Sequence, residues 1–394
     1  MRPPRADPSP GSTSSLRTAN QHRVLDVLRA AWGPGDDGTH EGTFTQAELA
    51  RATGLAPATV SNIVRELAAS GLVETDPGSG RRGSSVRLAR GAGMVAGIDF
   101  GHSHVAVAMG DLTGRVVAED RRHLETAHQH AEALDLAWSM LDALTVEHGP
   151  VRHIGLGLPA PVINEVVRSS AIFPGWEGVN TRLAAEERFG VPVHVENDAN
   201  LGALAEHRQG VAHGHDSSVF VKISSGVGAG IIIDNRLFHG AGGTAGEIGH
   251  LTLDEQGPLC RCGSRGCLEA YTSTGTVQAM LAGQLPDADL DEIVAAARAG
   301  NVSAQRALED AGLHLGWGLA NIVNLLNPAI VVVGGDMARA GELLLESARI
   351  GLRRHALDSA ALTPVVASEF GERASLVGAV LMAAERTELV IEHA

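Results

Sequence analysis

Three cysteines packed into eight residues, Cys260, Cys262 and Cys267, constrain this chain more than any other feature, and they are all the cysteine it has. Glycines at 263 and 266 let the backbone curl tightly, and His250 stands ten residues upstream. Three thiolates and one imidazole make a four-ligand tetrahedral set, the way a closed structural zinc site is built. The alternative is three free thiols buried as small apolar side chains. The intervening Arg261, Ser264 and Arg265 belong to a polar turn with no apolar face to bury. A disulfide would leave one thiol over and belongs to an oxidising compartment. The expectation is therefore zinc held by His250, Cys260, Cys262 and Cys267.

A chain of 394 residues with 44% hydrophobic content has room for two or three domains and a real core. It has no run of about 18 apolar residues, and its Pro/Ser-rich start lacks the apolar segment of a secretory signal. The reading is a cytoplasmic protein with no membrane partner. Net charge is −15, which alone argues against nucleic acid, but the charge is unevenly divided. Residues 1–91 hold 11 arginines against 9 carboxylates, whereas the remainder holds 20 basic residues against 37 acidic ones. That asymmetry suits a small DNA-competent module attached to an acidic body.

After a leader over 1–15, read as disordered, Val24, Leu25, Leu28 and Ala31 recur at helical spacing and predict a first helix ending near Trp32 and Gly33. Thr45 with Glu48 forms a capping box, so a second helix is expected from about Gln46 to Ala52, with Gly54 turning the chain. In PATVSNIVRELAAS the apolar Val60, Ile63, Val64 and Leu67 share one helical face, while Thr59, Ser61, Asn62 and Arg65 project from the other. Short polar residues followed by Arg suit base edges and phosphates of a major groove. LVET and SVRL read as strands of a hairpin tipped by Arg81 and Arg82. This order, over 16–90, is the plan of a winged helix-turn-helix, and ELARATGLAPATVSNIVRELAASGLV resembles bacterial winged-helix repressors. A helical interaction module with a solvated polar face is the competing reading.

RGAG at 90–93 reads as a linker to a body over 94–394. MVAGIDFGHSHVAVAMGDLTGRVVAED alternates apolar strands with turns, as antiparallel strands would. Residues 131–146 suit a helix, and VENDAN ends a strand at Glu196, Asn197 and Asp198. A carboxylate there suits a general base, with Asn197 holding a neighbouring hydroxyl; on the residues alone, plain capping of the next helix is slightly the better explanation. Gly226, Gly228 and Gly230 could bring backbone amides to a phosphate, or merely turn a hairpin. Residues 289–326 look mostly helical, NPAIVVVGGDM gives a strand, and LVGAVLMAAERT a closing helix.

Glu247, Gly249 and His250 as ExGH, followed by CxCGxxGCxE from Cys260 to Glu269, resemble the ROK family of repressors, open reading frames and sugar kinases. The resemblance covers nearly the whole chain and implies an α/β, two-lobed, actin-like body behind the winged helix. It implies that the histidine binds both zinc and sugar, and that Glu247 and Glu269 meet sugar hydroxyls together with Asn197 and Asp198. It also implies a homodimer or homotetramer on a double-stranded operator, with a sugar as effector. The phosphate loops depart from the kinase pattern. DxGGTK is matched by Asp99, Phe100, Gly101, His102, Ser103 and His104, and LGTGxGxG is matched with Ser224, Ser225, Gly226 and Gly228. Asp99, Gly101, Ser225, Gly226 and Gly228 therefore read as vestigial, with His102 expected to obstruct phosphate. The reading is a sugar-responsive regulator. The rivals are an ATP- and magnesium-dependent sugar kinase with Asp198 as base, and a scaffold with no ligand.

Overall fold

Helix α1 (Thr13–Ala30) owes its place to one apolar stripe, since Val24, Leu25 and Leu28 are all buried. The structure, a computed structural model, describes residues 13–30, 43–76, 84–89, 92–124, 129–163, 165–167 and 173–387. The helix is described from Thr13, inside the leader expected over 1–15. Its expected end near Trp32 and Gly33 lies outside the described residues, as do 1–12.

Strand β1 (Phe44–Thr45) leads into α2 (Gln46–Thr53), where the Glu48 amide donates to Thr45 Oγ1 and the Thr45 amide donates to Glu48 Oε2, closing the capping box. Helix α3 (Pro57–Ala69) buries Val60, Ile63, Val64 and Leu67. Strands β2 (Val73–Asp76) and β3 (Ser85–Leu88) pair antiparallel, and β1 adds to the far edge of β3. That third strand had no sequence signal, because two residues carry no periodicity. The Arg81 and Arg82 tip lies outside the described residues. The apolar cluster of this module continues through Ala92, Val95, Ala108 and Leu112 into the body.

The body has two lobes of one topology. In the first, β4 (Met94–Phe100), β5 (His104–Asp111) and β6 (Val116–His123) form an antiparallel meander. Helix α4 (His130–His148) then returns the chain to β7 (Val151–Leu158), parallel to β4. A small ribbon, β8 (Val162–Ile163) with β9 (Val166–Val167), and helix α5 (Thr181–Phe189) precede β10 (Val193–Asn197), parallel to β7, and α6 (Asp198–Gln209). The sheet order is β10-β7-β4-β5-β6.

The second lobe repeats this pattern: β11 (Ser218–Ile223), β12 (Val227–Ile233) and β13 (Arg236–Leu237) meander. Helices α7 (Glu269–Thr272), α8 (Thr274–Leu281), α9 (Leu290–Arg298) and α10 (Val302–Leu326) follow before β14 (Ile330–Gly334), parallel to β11. Helix α11 (Glu342–His355) crosses to β15 (Val365–Ala367), giving the order β13-β12-β11-β14-β15. The closing helix α12 (Ala374–Arg386) packs on the first sheet and on α6. Gly378 permits that crossing, since a Cβ there would lie 1.9 Å from the Leu201 carbonyl oxygen. The two β-meanders point their first turns, Gly101–Ser103 and Ser224–Gly226, into one cleft of about 450 Å³.

Candidate functional site

The cysteine segment folds as its spacing demands. Gly266, at φ +62, passes so close to the Asp254 carbonyl oxygen that a Cβ would lie 1.6 Å from it. His250 Nδ1 lies 3.9 Å from Cys260 Sγ, Cys262 Sγ lies 3.8 Å from Cys267 Sγ, and the four candidate ligand atoms all fall within 4.8 Å of one another. A tetrahedral metal with bonds of about 2.3 Å to sulfur needs sulfurs about 3.8 Å apart, so the donor set fits a metal ion. Cys260 and Cys267 are buried and Cys262 is exposed. Burial pushes the Cys260 thiol up to about 12 and raises Cys267, while the Ser264 amide leads the lowering of Cys262. Thiolates in such a place are stabilised by a cation.

His250 turns its other nitrogen to the cleft, with Nε2 4.0 Å from a Glu247 carboxylate oxygen. Asn197, Asp198, Glu247, His250 and Glu269, the five residues expected at a sugar, all line this cleft. Asn197 also caps α6, its Oδ1 accepting from the Ala199 and Asn200 amides, so capping and cleft position coexist. Asp198 is buried at the first turn of α6, and Glu269 is buried with Oε2 accepting from the Val227 amide at 3.0 Å. Burial raises the Glu247 carboxyl, with His250 opposing.

The phosphate-side hairpins converge on the same cleft, through Gly101, Ser225, Gly226 and Gly228. Asp99 is buried behind them. His102 and His104 both line the cleft, and the His104 ring packs against Gly101, 2.0 Å from where a Cβ would stand, with Nε2 3.5 Å from Asp99 Oδ2.

Two features of the cleft, and one pairing beside it, were missed in the sequence. Lys222 Nζ, on β11, donates to Asp198 Oδ2 at 2.7 Å and to Ser375 Oγ at 3.0 Å. Burial alone would lower its pKa, but Asp198 and then Asp99 outweigh burial and raise it. Burial likewise pushes up the Asp198 carboxyl, against the lysine. Arg261, between two cysteines, donates from Nε to Glu269 Oε1 at 2.7 Å and from its guanidinium to the Ser225 carbonyl, tying the cysteine loop to both walls. Glu196 accepts from His239 Nε2 at 2.8 Å and from Asn200 Nδ2 at 2.9 Å. Lys222 had a signal: it is the only lysine in the chain.

On α3, Asn62 and Arg65 are exposed, and Thr59 and Ser61 half-buried. The Arg65 guanidinium donates to Asn62 Oδ1 at 3.2 Å. Among the described residues no helix is long and apolar enough to cross a membrane.

A winged helix ahead of two lobes of repeated topology, with carboxylates and phosphate-type hairpins facing across the cleft, defines a DNA-binding-type module on an actin-like α/β body. The chain belongs to the ROK family, whose model matches residues 95–386, and a MarR family model matches residues 17–82. It is 32% identical over 314 residues to the xylose repressor of Bacillus subtilis (strain 168), covering 78% of this chain and 82% of the relative. The ROK family glucokinase from Streptomyces griseus, solved with glucose and AMPPNP, is 30% identical with a TM-score of 0.68, covering 74% of this chain and 100% of that one. A ROK family transcriptional regulator, a homolog of the E. coli MLC protein, shares the fold over 92% of this chain and 96% of its own, with a TM-score of 0.74 and 24% identity.

Proposed function

We propose that this chain is a sugar-responsive, DNA-binding transcriptional regulator, a repressor of carbohydrate-metabolism genes. The observation that supports the reading is one chain holding both a polar face on α3 and a cleft lined by Asn197, Asp198, Glu247, His250 and Glu269, in which the His104 ring packs on Gly101 of the facing hairpin. Relatives named as repressors and as glucokinases share the fold, and the state of the cleft favours the former.

In this reading Thr59, Ser61, Asn62 and Arg65 enter a major groove, and Arg81 and Arg82 contact phosphate or the minor groove. Asn197, Asp198, Glu247, His250 and Glu269 take the hydroxyls of a sugar, and His250, Cys260, Cys262 and Cys267 hold a structural zinc that would fix His250 and the loop carrying Arg261. A homodimer or homotetramer presents paired α3 helices to half-sites about 10 base pairs apart or a multiple of that. The domains are read as a winged helix over 16–90 and a sugar-binding body over 94–394. Sugar acts by preferring one lobe arrangement, and a tenfold preference, about 1.4 kcal/mol, is within reach of a few hydrogen bonds.

The sugar-side residues equally furnish a kinase with Asp198 as base, and a single experiment separates the two. The full-length protein is titrated with hexoses, pentoses and N-acetylated amino sugars, with and without ATP, and each hit is carried into operator binding. Binding without ATP turnover, with altered operator affinity, is the expected result. Efficient turnover that disappears in Asp198→Ala would overturn it in favour of the kinase.

A further inference from the structure

Arg261 stands between Cys260 and Cys262, two of the four metal-type ligands, so the fold of the cysteine loop fixes its backbone on either side. Its side chain lines the cleft and is 33% exposed. Nε donates to Glu269 Oε1 at 2.7 Å, and Nη2 donates to the Ser225 carbonyl oxygen. An arginine suits this place because its planar guanidinium carries several N–H groups in a fixed fork, so that one side chain meets a carboxylate and a carbonyl at once.

Glu269 is held at both oxygens. While Oε1 takes Arg261, Oε2 accepts from the amide of Val227, the first residue of β12, at 3.0 Å. The carboxylate is buried and still lines the cleft, and each oxygen keeps a further lone-pair site for a ligand hydroxyl. The turn between β11 and β12 is gripped from the same side at a third point, where the Thr274 amide donates to the Ser224 carbonyl oxygen at 3.0 Å. Of these three grips, the one from Arg261 starts in the metal-type loop. A buried carboxylate deprived of its cation turns toward water or takes a proton, and either change spoils it as an acceptor set at one angle.

We infer that Arg261 is a positioning residue of the ligand cleft: anchored between two cysteines, it fixes the Glu269 carboxylate and the Ser224–Gly226 turn against each other, so that Glu269 meets a ligand hydroxyl as a preset acceptor. The ligand chemistry is a neutral hydroxyl in hydrogen-bond reach of Glu269. Arg261 acts through Glu269 and not on the ligand itself, since its Nε and Nη2 are both engaged within the protein. The inference rests on the regulator reading for the nature of the ligand, and on the cleft geometry alone for the brace.

The first test needs no ligand. Amide hydrogen exchange is followed on full-length wild type, Arg261→Gln and Arg261→Lys, with zinc content and melting measured on the same samples. The Val227 amide and the turn over 224–226 should exchange at least about tenfold faster in Arg261→Gln, while β11 and the zinc content stay as in the wild type. Unchanged protection of the turn would overturn the inference, and so would loss of metal from both variants, which would make Arg261 a part of the loop fold. Arg261→Lys keeps the charge without the fork, and full wild-type protection there would overturn the two-pronged brace. The second test is calorimetry with D-xylose, D-glucose and N-acetyl-D-glucosamine, then with monodeoxy analogues of whichever binds. Arg261→Gln should weaken binding by about tenfold or more, and the deoxy analogue that erases the effect of Glu269→Gln should erase this one as well. An equal loss across all analogues would mark a general structural role and overturn the inference. Binding of none of the three sugars would count against the regulator reading, and the exchange result would then decide the role of Arg261 by itself.

Discussion

The wall of the cleft that carries Glu247, His250 and Glu269 and the wall that carries Gly101–His104 and Ser224–Gly228 reach the same space by different means. On the first, side chains do the work, and they come from a loop tied to itself by four metal-type ligands within 4.8 Å. On the second, backbone turns are the working parts, and whether they are open depends on what folds across them. There His104 lies over Gly101, and Lys222 occupies Asp198. Two turns of equivalent topology thus face one cleft, and side chains pack against both the first turn and the carboxylate beside it. The lesson is that a side-chain wall depends on its anchors being kept, whereas a backbone wall depends on which side chain of its own turn packs against it.

Breaking the anchors gives the largest expected effect. Cys262→Ser should abolish stoichiometric zinc and sugar binding and lower stability by several kcal/mol, since metal binding to such a set is folding free energy. Metal analysis and a thermal melt decide it, and unchanged melting with sugar binding intact would show that the loop is not what holds this wall.

Removing one carboxylate while sparing the anchors is the next step down. Glu269→Gln should weaken sugar by about 10- to 100-fold, roughly 1.4 to 3 kcal/mol for a charge-assisted hydrogen bond lost, with zinc content unchanged. Calorimetry against the wild type checks this, read beside a melt because Glu269 also accepts from Val227 and Arg261.

The winged helix supplies the control for the comparison. Asn62→Ala or Arg65→Ala should cost about 1 to 3 kcal/mol in operator binding and leave sugar affinity untouched. Arg81→Ala and Arg82→Ala should chiefly reduce the salt dependence. Equal gel-shift affinities in all four variants would remove α3 and the hairpin from the DNA interface.

The smallest effect is a pH dependence beside the cleft. The hydrogen bond that His239 donates to Glu196, set against burial, leads the raising of His239 above its usual value near 6.5. Burial opposes ionisation of Glu196, but its bonds to His239 and Asn200 outweigh it and lower its pKa from 4.5. The histidine contribution is full below 6.5 and is lost as pH rises through the raised value. The glutamate contribution is full above 4.5 and is lost as pH falls through the lowered value. Because His239 is 44% exposed, His239→Gln should remove less than about 1 kcal/mol between those limits. Melting curves across pH would reveal a larger effect if the pair braces Asn197 and Asp198.

Much of the fold was legible because its signals are local. The capping box at Thr45 and Glu48, the stripe Val60, Ile63, Val64 and Leu67, and the strands of the meanders all lie within one element each. The third strand of the wing and the repeated topology of the lobes were not legible. The first is two residues long, and the second is a similarity of strand order with no shared sequence period.

Sequence alone determined the donor set: His250, Cys260, Cys262 and Cys267 are close in the chain, so spacing and glycines suffice to bring them together. It also determined which residue types stand at each cleft position. Only the tertiary structure decided what those positions can do. Lys222 meets Asp198 from 24 residues away and Ser375 from 153, and Arg261 reaches Ser225 across 36. Such meetings depend on which face of a strand turns inward and how two lobes close on one helix pair. The physical reason is that a long-range ion pair or hydrogen bond is a property of distances between elements, and those distances are fixed by packing, not by neighbours in the chain.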